Sequence, residues 1–304
     1  MIKVENVTKE FEHICAVNQV SFEIPDGSMF GLLGTNGAGK STLLRMMAGV
    51  LGCDTGRILF DGENIYENPS CKSSVFYLPD TPYYFPNVNL EEMVRFYRRH
   101  YPFLERDSAA YMAKLLNLDM DLPLRTFSKG MKRQAFLILA LCSGTNYLLF
   151  DEVFDGLDPV MTETMKELFR REIEERKLTV VAAAHKLKDL EDICHNIGIM
   201  HKGGILKAGD MREHSGNVMK LQCVFEGQED MKEELEKELQ VLRYEKEGYF
   251  TTLVVKGDKK EILERITRRV PVFVGEIPMS LEEIFMTAMK EAGYDICKVF
   301  MELD

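Results

Sequence analysis

A glycine-rich segment between residues 34 and 42, GTNGAGKST, contains the residue types that bind phosphate groups. Glycine lets successive backbone N–H groups turn around an anion, because no Cβ obstructs the approach. The segment matches G-x-x-x-x-G-K-[ST], in which Lys40 reaches the β- and γ-phosphates and the Ser41 hydroxyl ligates Mg²⁺. We therefore predict that ATP and Mg²⁺ bind here, through Gly34, Thr35, Asn36, Gly37, Ala38, Gly39, Lys40, Ser41 and Thr42.

Two carboxylates follow an apolar run in YLLFDE, at residues 147–152. At the end of a buried strand, Asp151 can face a metal ion, as phosphate-loop enzymes require. Glu152 can then take a proton from the attacking water as general base. A strand that enters a solvated turn is the alternative interpretation, and the phosphate loop upstream favours the catalytic one.

His185 ends a second apolar run, VVAAAH. A histidine at a strand end is more often a structural residue than a catalytic one. Its position after the Asp-Glu strand favours a catalytic role here, in which a neutral imidazole hydrogen-bonds the γ-phosphate.

The surrounding pattern supplies the elements that must position these side chains. MFGLLG precedes the glycine-rich segment as a strand and STLLRMMAGVL follows it as a helix. NYLLFDE, a helix near 160–176 and LTVVAAAH then predict alternating strands and helices around a buried parallel sheet. These patterns predict an α/β fold for residues 1–212.

Two further regions differ in pattern from this α/β core. Residues 87–142 are helical in periodicity, with Asn89 and Asp107 as predicted N-caps. Residues 213–304 predict a small α+β accessory domain, with strands in LQCVFEG, TTLVVKG and VFVGEI. Its predicted helices are MKEELEKELQVL, KKEILERITRRV and SLEEIFMTAMKEA.

The charge, the cysteine spacing and the lengths of the apolar runs argue against several classes of protein. The 304 residues carry 38 Lys and Arg against 49 Asp and Glu, a net charge of −11, so no nucleic-acid partner is expected. The seven cysteines contain no C-x-x-C pair, which disfavours zinc and thioredoxin-like sites. Residues 1–11 are charged without an apolar secretory segment, and the longest apolar run, 135–142, is far below the roughly 18 residues of a membrane span. We expect a cytoplasmic protein.

The order of five motifs resembles that of the ATP-binding-cassette (ABC) ATPases. The motifs are GTNGAGKST, FSKGM, YLLFDE, GLDP and AAAH. FSKGM takes the place of the family signature, usually written LSGGQ, and matches it at Ser128 and Gly130. Alone, it would indicate only a capped helix. The resemblance implies a phosphate-loop NTPase core with an antiparallel β subdomain and a helical insert.

The resemblance also implies roles for residues outside the phosphate loop. In the family, the signature Ser and Gly of one subunit close over ATP held by a second nucleotide-binding subunit, so a homo- or heterodimer is expected. Asp158 of GLDP would lie at that interface. Phe11 stands where the family places an aromatic ring that stacks on adenine, and a core phenylalanine is the alternative interpretation.

Asp80, in VFYLPDTPYYFP, stands where the family usually has a glutamine that contacts Mg²⁺. In the family this glutamine also senses the partner subunit. An ionised aspartate can approach the metal but donates no hydrogen bond, so this coupling role transfers less securely than the phosphate chemistry. The insert, SKGM and DEVFDGLDPV resemble export-type prokaryotic ATP-binding subunits. That resemblance implies a separate integral-membrane permease, which would dock near 80–86 and hold this chain at the cytoplasmic face of the membrane.

Two other functions remain open on the sequence. One is a soluble ABC-type ATPase that acts on a partner outside the membrane. The other is a regulatory module that binds ATP and scarcely hydrolyses it. Hydrolysis is favoured by Lys40, Asp151, Glu152 and His185, whereas aspartate at position 80 keeps the regulatory alternative open.

Overall fold

The computed structural model describes residues 1–184, 186–194, 196–211, 218–226 and 231–293. The chain divides into two units. One unit comprises Met1–Asp210 with the described residues from Ala288 on, and the other comprises Met211–Thr287.

A six-stranded sheet forms the centre of the first unit. Its strands are β3 (Met29–Gly34), β6 (Val75–Leu78), β7 (Tyr147–Phe150), β8 (Thr179–Ala183), β9 (Asn196–His201) and β10 (Gly204–Asp210). The order is β10-β9-β3-β8-β7-β6, and only β10 pairs antiparallel to its neighbour. Every residue of β7 and β8 is buried, as expected of parallel strands covered on both faces. The predicted α/β fold is confirmed.

A second, antiparallel sheet packs beside the first across helix α1 (Lys40–Met47). Its strands are β1 (Ile2–Phe11), β2 (Ile14–Ile24), β4 (Thr55–Phe60) and β5 (Glu63–Asn64), in the order β2-β1-β4-β5. Apolar side chains of β1, β2 and α1 share one core with side chains of β7 and β8. This core fixes α1, and with it the glycine-rich loop, against the central sheet.

The helical region lies between β6 and β7, after the short helix α2 (Pro69–Lys72) that precedes β6. It contains α3 (Leu90–Tyr97), α4 (Arg106–Leu115), a 3₁₀ turn (Leu124–Thr126) and α5 (Lys129–Leu141). Asn89 is the N-cap of α3 as predicted, in a capping box with Glu92. The predicted cap at Asp107 is wrong, since α4 begins after Glu105. Asp107 lies in the first turn instead, where its charge favours the helix N-terminus.

Two helices follow β7 and β8, namely α6 (Pro159–Arg176) and α7 (Leu187–Glu191). Within the ranges that the structure describes, every helix is too short or too polar to cross a lipid bilayer.

The second unit has the strand and helix order of a split βαβ fold. Its elements are β11 (Val218–Val224), α8 (Lys232–Glu238), β12 (Gln240–Glu247), β13 (Phe250–Lys256), α9 (Lys259–Thr267) and β14 (Phe273–Ile277). Helix α10 (Leu281–Glu291) follows, and its residues from Ala288 on are grouped with the first unit. The antiparallel sheet has the order β12-β13-β11-β14. The prediction of one helix over MKEELEKELQVL is wrong at its end: α8 stops at Glu238 and β12 begins at Gln240, since pairing with β13 overrides helix propensity.

Candidate functional site

The glycine-rich loop joins the end of β3 to the start of α1. Gly39 has φ +103°, and a Cβ there would lie 2.2 Å from the carbonyl oxygen of Ala16, so backbone conformation and close packing both require glycine. Gly37 has φ +76°, and a Cβ added there would meet nothing within 4 Å, so only its conformation requires glycine. Gly39 gives α1 no side-chain cap, and the first turn contains no acidic residue. The helix therefore offers N–H groups to an anion.

Lys40 is the first residue of α1 and is 7% exposed. Its Nζ donates to the carbonyl oxygens of Gly34 at 2.8 Å and Thr35 at 3.2 Å. Burial lowers the pKa of Lys40, against the opposing effect of Glu152 and Asp151 nearby. A bound phosphate would favour the charged ammonium, so the loop places a cation where the phosphates of a nucleotide are expected.

A cleft of about 530 Å³ lies over this loop. Of the predicted site residues, it brings together Asn36, Gly37, Ala38, Gly39, Lys40, Ser41, Thr42, Asp80, Asp151 and Glu152. Gly34 and Thr35 contribute the carbonyl oxygens that hold Lys40. Three separate segments, the loop after β3 and the ends of β6 and β7, thus meet at one edge of the parallel sheet.

The two carboxylates after β7 differ in environment. Asp151 is 5% exposed, and its N–H donates to the carbonyl oxygen of Leu78 at 2.9 Å, in line with the sheet. Glu152 is half-buried and has φ +56°, a left-handed conformation that costs a non-glycine residue roughly 1–2 kcal/mol. Such backbone outliers occur preferentially at functional sites. Glu152 lines the cleft beside Asp151, in a bend that follows β7.

Ser41, Asp151 and Asp80 line the cleft together. Hydroxyl and carboxylate oxygens are the ligands that Mg²⁺ prefers, and Mg²⁺ in phosphoryl-transfer sites takes one or two protein carboxylates plus substrate phosphates and water. In the described part of the chain no group of three or more His, Cys, Asp or Glu forms a metal site by itself. The donor set fits a cation that is bound together with a nucleotide.

Asp80 is held by a buried arginine. Arg133, in α5, is 3% exposed, and its Nη2 donates to the carbonyl oxygen of Asp80 at 2.7 Å and to its Oδ1 at 3.3 Å. Burial lowers the pKa of Arg133, and nearby carboxylates, Asp80 first among them, oppose the shift. The sequence did not indicate this contact, because 53 residues separate the two positions.

The predicted interface residues begin helices. Ser128 caps α5 by accepting from the N–H of Met131 at 3.2 Å, and Asp158 caps α6 by accepting from the N–H of Met161 at 2.9 Å. A Cβ at Gly130 would lie 2.5 Å from the carbonyl oxygen of Gly156, so the two segments pack closely. An ion pair between Lys129 and Asp155 joins them as well.

The described residues that line this chain's own cleft do not include the predicted interface residues or Phe11. Phe11 is 45% exposed at the end of β1, with Lys9 over its ring. His185 lies outside the described residues.

Sequence reasoning missed Ile14, Cys15, Ala16 and Lys202, which also line the cleft. Lys202 lies in the turn between β9 and β10, whose next residue, Gly203, donates to the carbonyl oxygen of Ala38 at 3.1 Å. A lysine before two glycines indicates a turn. Only the pairing of β9 with β3 shows that this turn reaches the phosphate loop.

Comparison with known proteins agrees with this geometry. A family model described as ABC transporter matches residues 17–155. The chain is 28% identical over 286 residues to the ABC transporter ATP-binding protein YtrB of Bacillus subtilis, covering 94% of this chain and 97% of that protein. It is 30% identical over 219 residues to the linearmycin resistance ATP-binding protein LnrL of Bacillus subtilis, covering 69% of each.

A solved structure is similar in fold to most of this chain. It is a dimeric ATP-binding cassette in a post-hydrolysis state with ADP and Pi, 20% identical, with a TM-score of 0.63 over 70% of this chain and 99% of that one. The phosphate loop, the strand-end carboxylates and these likenesses together identify the chain as a member of the ABC transporter ATP-binding proteins and as an ATPase.

Proposed function

We propose that the chain hydrolyses ATP with Mg²⁺ and thereby drives a membrane exporter through a separate permease. One observation carries the proposal: the cleft brings Lys40, Ser41, Asp151 and Glu152 together at the carboxyl edge of a parallel sheet. The loop N–H groups and Lys40 bind the phosphates. Ser41, Asp151 and Asp80 would hold Mg²⁺, which supplies charge stabilisation to the transferring phosphoryl group.

Glu152 acts as the general base in this proposal. Glu152 lines the cleft with Lys40 and Ser41, and its carboxylate would take the proton of the attacking water. Glu152→Gln keeps the side-chain size and the same backbone requirement, so its effect reports on the carboxylate alone. We expect ATP binding to persist and phosphate release to fall by about 10²–10⁴-fold. Full turnover in this variant would refute the assignment and favour another base.

ATP is closed between two nucleotide-binding subunits in the proposed cycle. The lining of this chain's own cleft does not include Ser128, Gly130 or Asp158. All three lie at the start of α5 or α6, where free helix N–H groups can face the ATP of a second subunit. The dimeric fold relative supports this arrangement. Light scattering of Glu152→Gln should show a dimer with MgATP and a monomer without it. A monomer under both conditions would exclude a homodimer and direct the search to a heterologous subunit.

The permease is proposed to dock on the segment after Asp80. Tyr83 is 74% exposed and contacts Phe85 edge-on, while Tyr84 lies under the Lys132 ammonium at 5.4 Å. An exposed aromatic surface of this kind is typical of a protein-binding site. Replacing Tyr83 and Tyr84 by Ala should release the partner and preserve ATP binding. Unchanged partner binding would remove this docking site.

Export is proposed because one relative is named for resistance to linearmycin. A pull-down of Glu152→Gln with ATP from gently solubilised source membranes should recover an integral-membrane protein, which would place the chain at the cytoplasmic membrane face. Recovery of soluble partners alone would favour an ATPase that acts outside the membrane. ATP binding without phosphate release by the unmodified chain would favour a regulatory module.

A further inference from the structure

Arg133 is a buried cation that contacts two separate parts of the candidate site. Beyond its contacts with Asp80, its Nη1 donates to the carbonyl oxygen of Pro79 at 3.3 Å and lies 3.5 Å from the carbonyl oxygen of Asp151. The side chain comes from α5, the helix that begins at the predicted signature segment. One guanidinium therefore connects the ends of β6 and β7 to that helix.

These contacts explain why a charge is tolerated here. A buried guanidinium loses its hydration, and only close hydrogen-bond acceptors compensate for that loss. Three of its four acceptors are backbone carbonyls and the fourth is the carboxylate of Asp80. The planar fork of arginine reaches several acceptors at once, which a lysine ammonium on a flexible chain does not reproduce.

Asp80 both contacts Arg133 and lines the cleft. Its backbone and one carboxylate oxygen are held by Arg133, while the side chain remains 51% exposed and lines the cleft with Ser41 and Asp151. The Arg133 guanidinium therefore restrains one oxygen of this carboxylate. Residues that orient a metal ligand from behind affect metal affinity by about 10–100-fold when they are replaced.

We propose that Arg133 is a positioning residue that holds Asp80 toward the divalent cation bound with ATP, so that Arg133 and the cation share the Asp80 carboxylate. This inference rests on the proposed ATPase function. Because Arg133 lies in α5, it also ties the orientation of Asp80 to the helix that begins at Ser128.

The test measures cation binding rather than turnover. Mn²⁺ replaces Mg²⁺ as an EPR probe, and its dissociation constant is determined with saturating ATP in the Glu152→Gln protein. Arg133→Met and Asp80→Asn, each added to that protein, should each weaken Mn²⁺ binding about tenfold or more. Arg133→Lys should weaken Mn²⁺ binding less than Arg133→Met. The double variant Arg133→Met with Asp80→Asn should bind Mn²⁺ about as tightly as whichever single variant has the lower affinity, since both changes remove the same interaction.

Arg125→Met is the matched control, because it removes an exposed arginine of the same helical region. Its Mn²⁺ affinity should equal that of the Glu152→Gln parent. Should Arg133→Met fail to fold, the Arg133→Lys and Asp80→Asn pair provides the same comparison. An unchanged Mn²⁺ affinity in a folded Arg133 variant, or additive losses in the double variant, would overturn the inference alone. A parent that binds no Mn²⁺ with ATP would overturn the proposed function as well.

Discussion

Glu283 in the second unit shows how neighbouring groups stabilise a partly buried charge. Glu283, in the first turn of α10, accepts from the N–H of Ser280 at 2.8 Å and pairs with Lys220 at 2.9 Å. The hydroxyl of Ser280 in turn accepts from the N–H of Glu283 at 3.2 Å. Burial raises the pKa of Glu283, but the bonds from Ser280 and Lys220 outweigh burial, and the pKa lies below its ordinary value of 4.5.

This shift gives a pH-dependent contribution to stability. A carboxylate with a lowered pKa stabilises the fold above its unfolded pKa, and the contribution disappears as the pH falls through the folded pKa. Glu283→Gln should therefore lower the free energy of unfolding by roughly 0.5–1 kcal/mol at neutral pH, because solvent screens this partly exposed pair, and the difference should shrink at pH values below 4.5. Urea denaturation at several pH values measures it. The exposed neighbour Glu282→Gln is the control, and a pH-independent difference would contradict the assignment.

The candidate site is predictable at residue scale where its members are neighbours in sequence. Lys40 and Ser41 follow from one local pattern, and Asp151 from the end of one apolar strand. Arg133 and Lys202 reach the same region only through sheet order and helix packing, and each lies in a segment whose residue types fit an ordinary helix or turn. Local patterns carry no information about such contacts.

At the scale of elements, the loop between β3 and α1 depends on two glycines for different reasons. Alanine at Gly37 meets only the backbone penalty of a positive φ, roughly 1–2 kcal/mol. Alanine at Gly39 meets that penalty and also a main-chain oxygen at 2.2 Å, which belongs to Ala16 in β2. The Gly39→Ala side chain fits only if β2 or the loop moves.

We therefore expect Gly39→Ala to lower the melting temperature and the ATP affinity more than Gly37→Ala. Thermal unfolding and equilibrium nucleotide binding measure the two effects. Since both variants add one methyl group to the same loop, each is the control for the other. An equal or reversed order would show that the contact with Ala16 does not restrict the loop.

Element boundaries are less predictable than element types. The α8 sequence is rich in Glu and Lys, which favour a helix, and nothing local separates it from Gln240–Glu247. Hydrogen bonds to β13 decide that this second segment is a strand. The predicted start of α4 is also wrong. Asp107 has a residue type that favours the N-cap position, but Glu105 occupies that position.

At the scale of the whole molecule, each unit has its own apolar core. The core around Val181 includes side chains of both sheets of the first unit, and the core around Leu253 includes side chains of β11, β13, α8 and α9. Separate cores predict that the two units lose structure independently. The alternation of strands and helices in the sequence predicts the core of the first unit. The split βαβ order of the second unit depends on β12, and the local sequence does not distinguish that strand from the helix before it.

Leu253→Ala tests this independence. The side chain is fully buried, so its loss should lower the opening free energy of β11 and β13 amides by about 2–5 kcal/mol. Amides of β3 and β8 should keep their protection in hydrogen exchange. Val181→Ala should give the reverse pattern with a smaller magnitude. Equal losses in both sheets from either variant would show one cooperative unit.

If Glu152 is the general base, as proposed, its left-handed backbone costs folding stability at a position that turnover requires. Glycine adopts that conformation without the steric penalty of a Cβ, whereas glutamate carries it in every folded molecule. The backbone penalty alone would therefore favour Glu152→Gly in a library screened only for heat resistance, and on the proposed role of Glu152 as general base such proteins would not hydrolyse ATP. Persistence of an acidic side chain in a lineage would then mark selection for chemistry, and its replacement by glycine would identify a descendant that has kept the fold and abandoned hydrolysis.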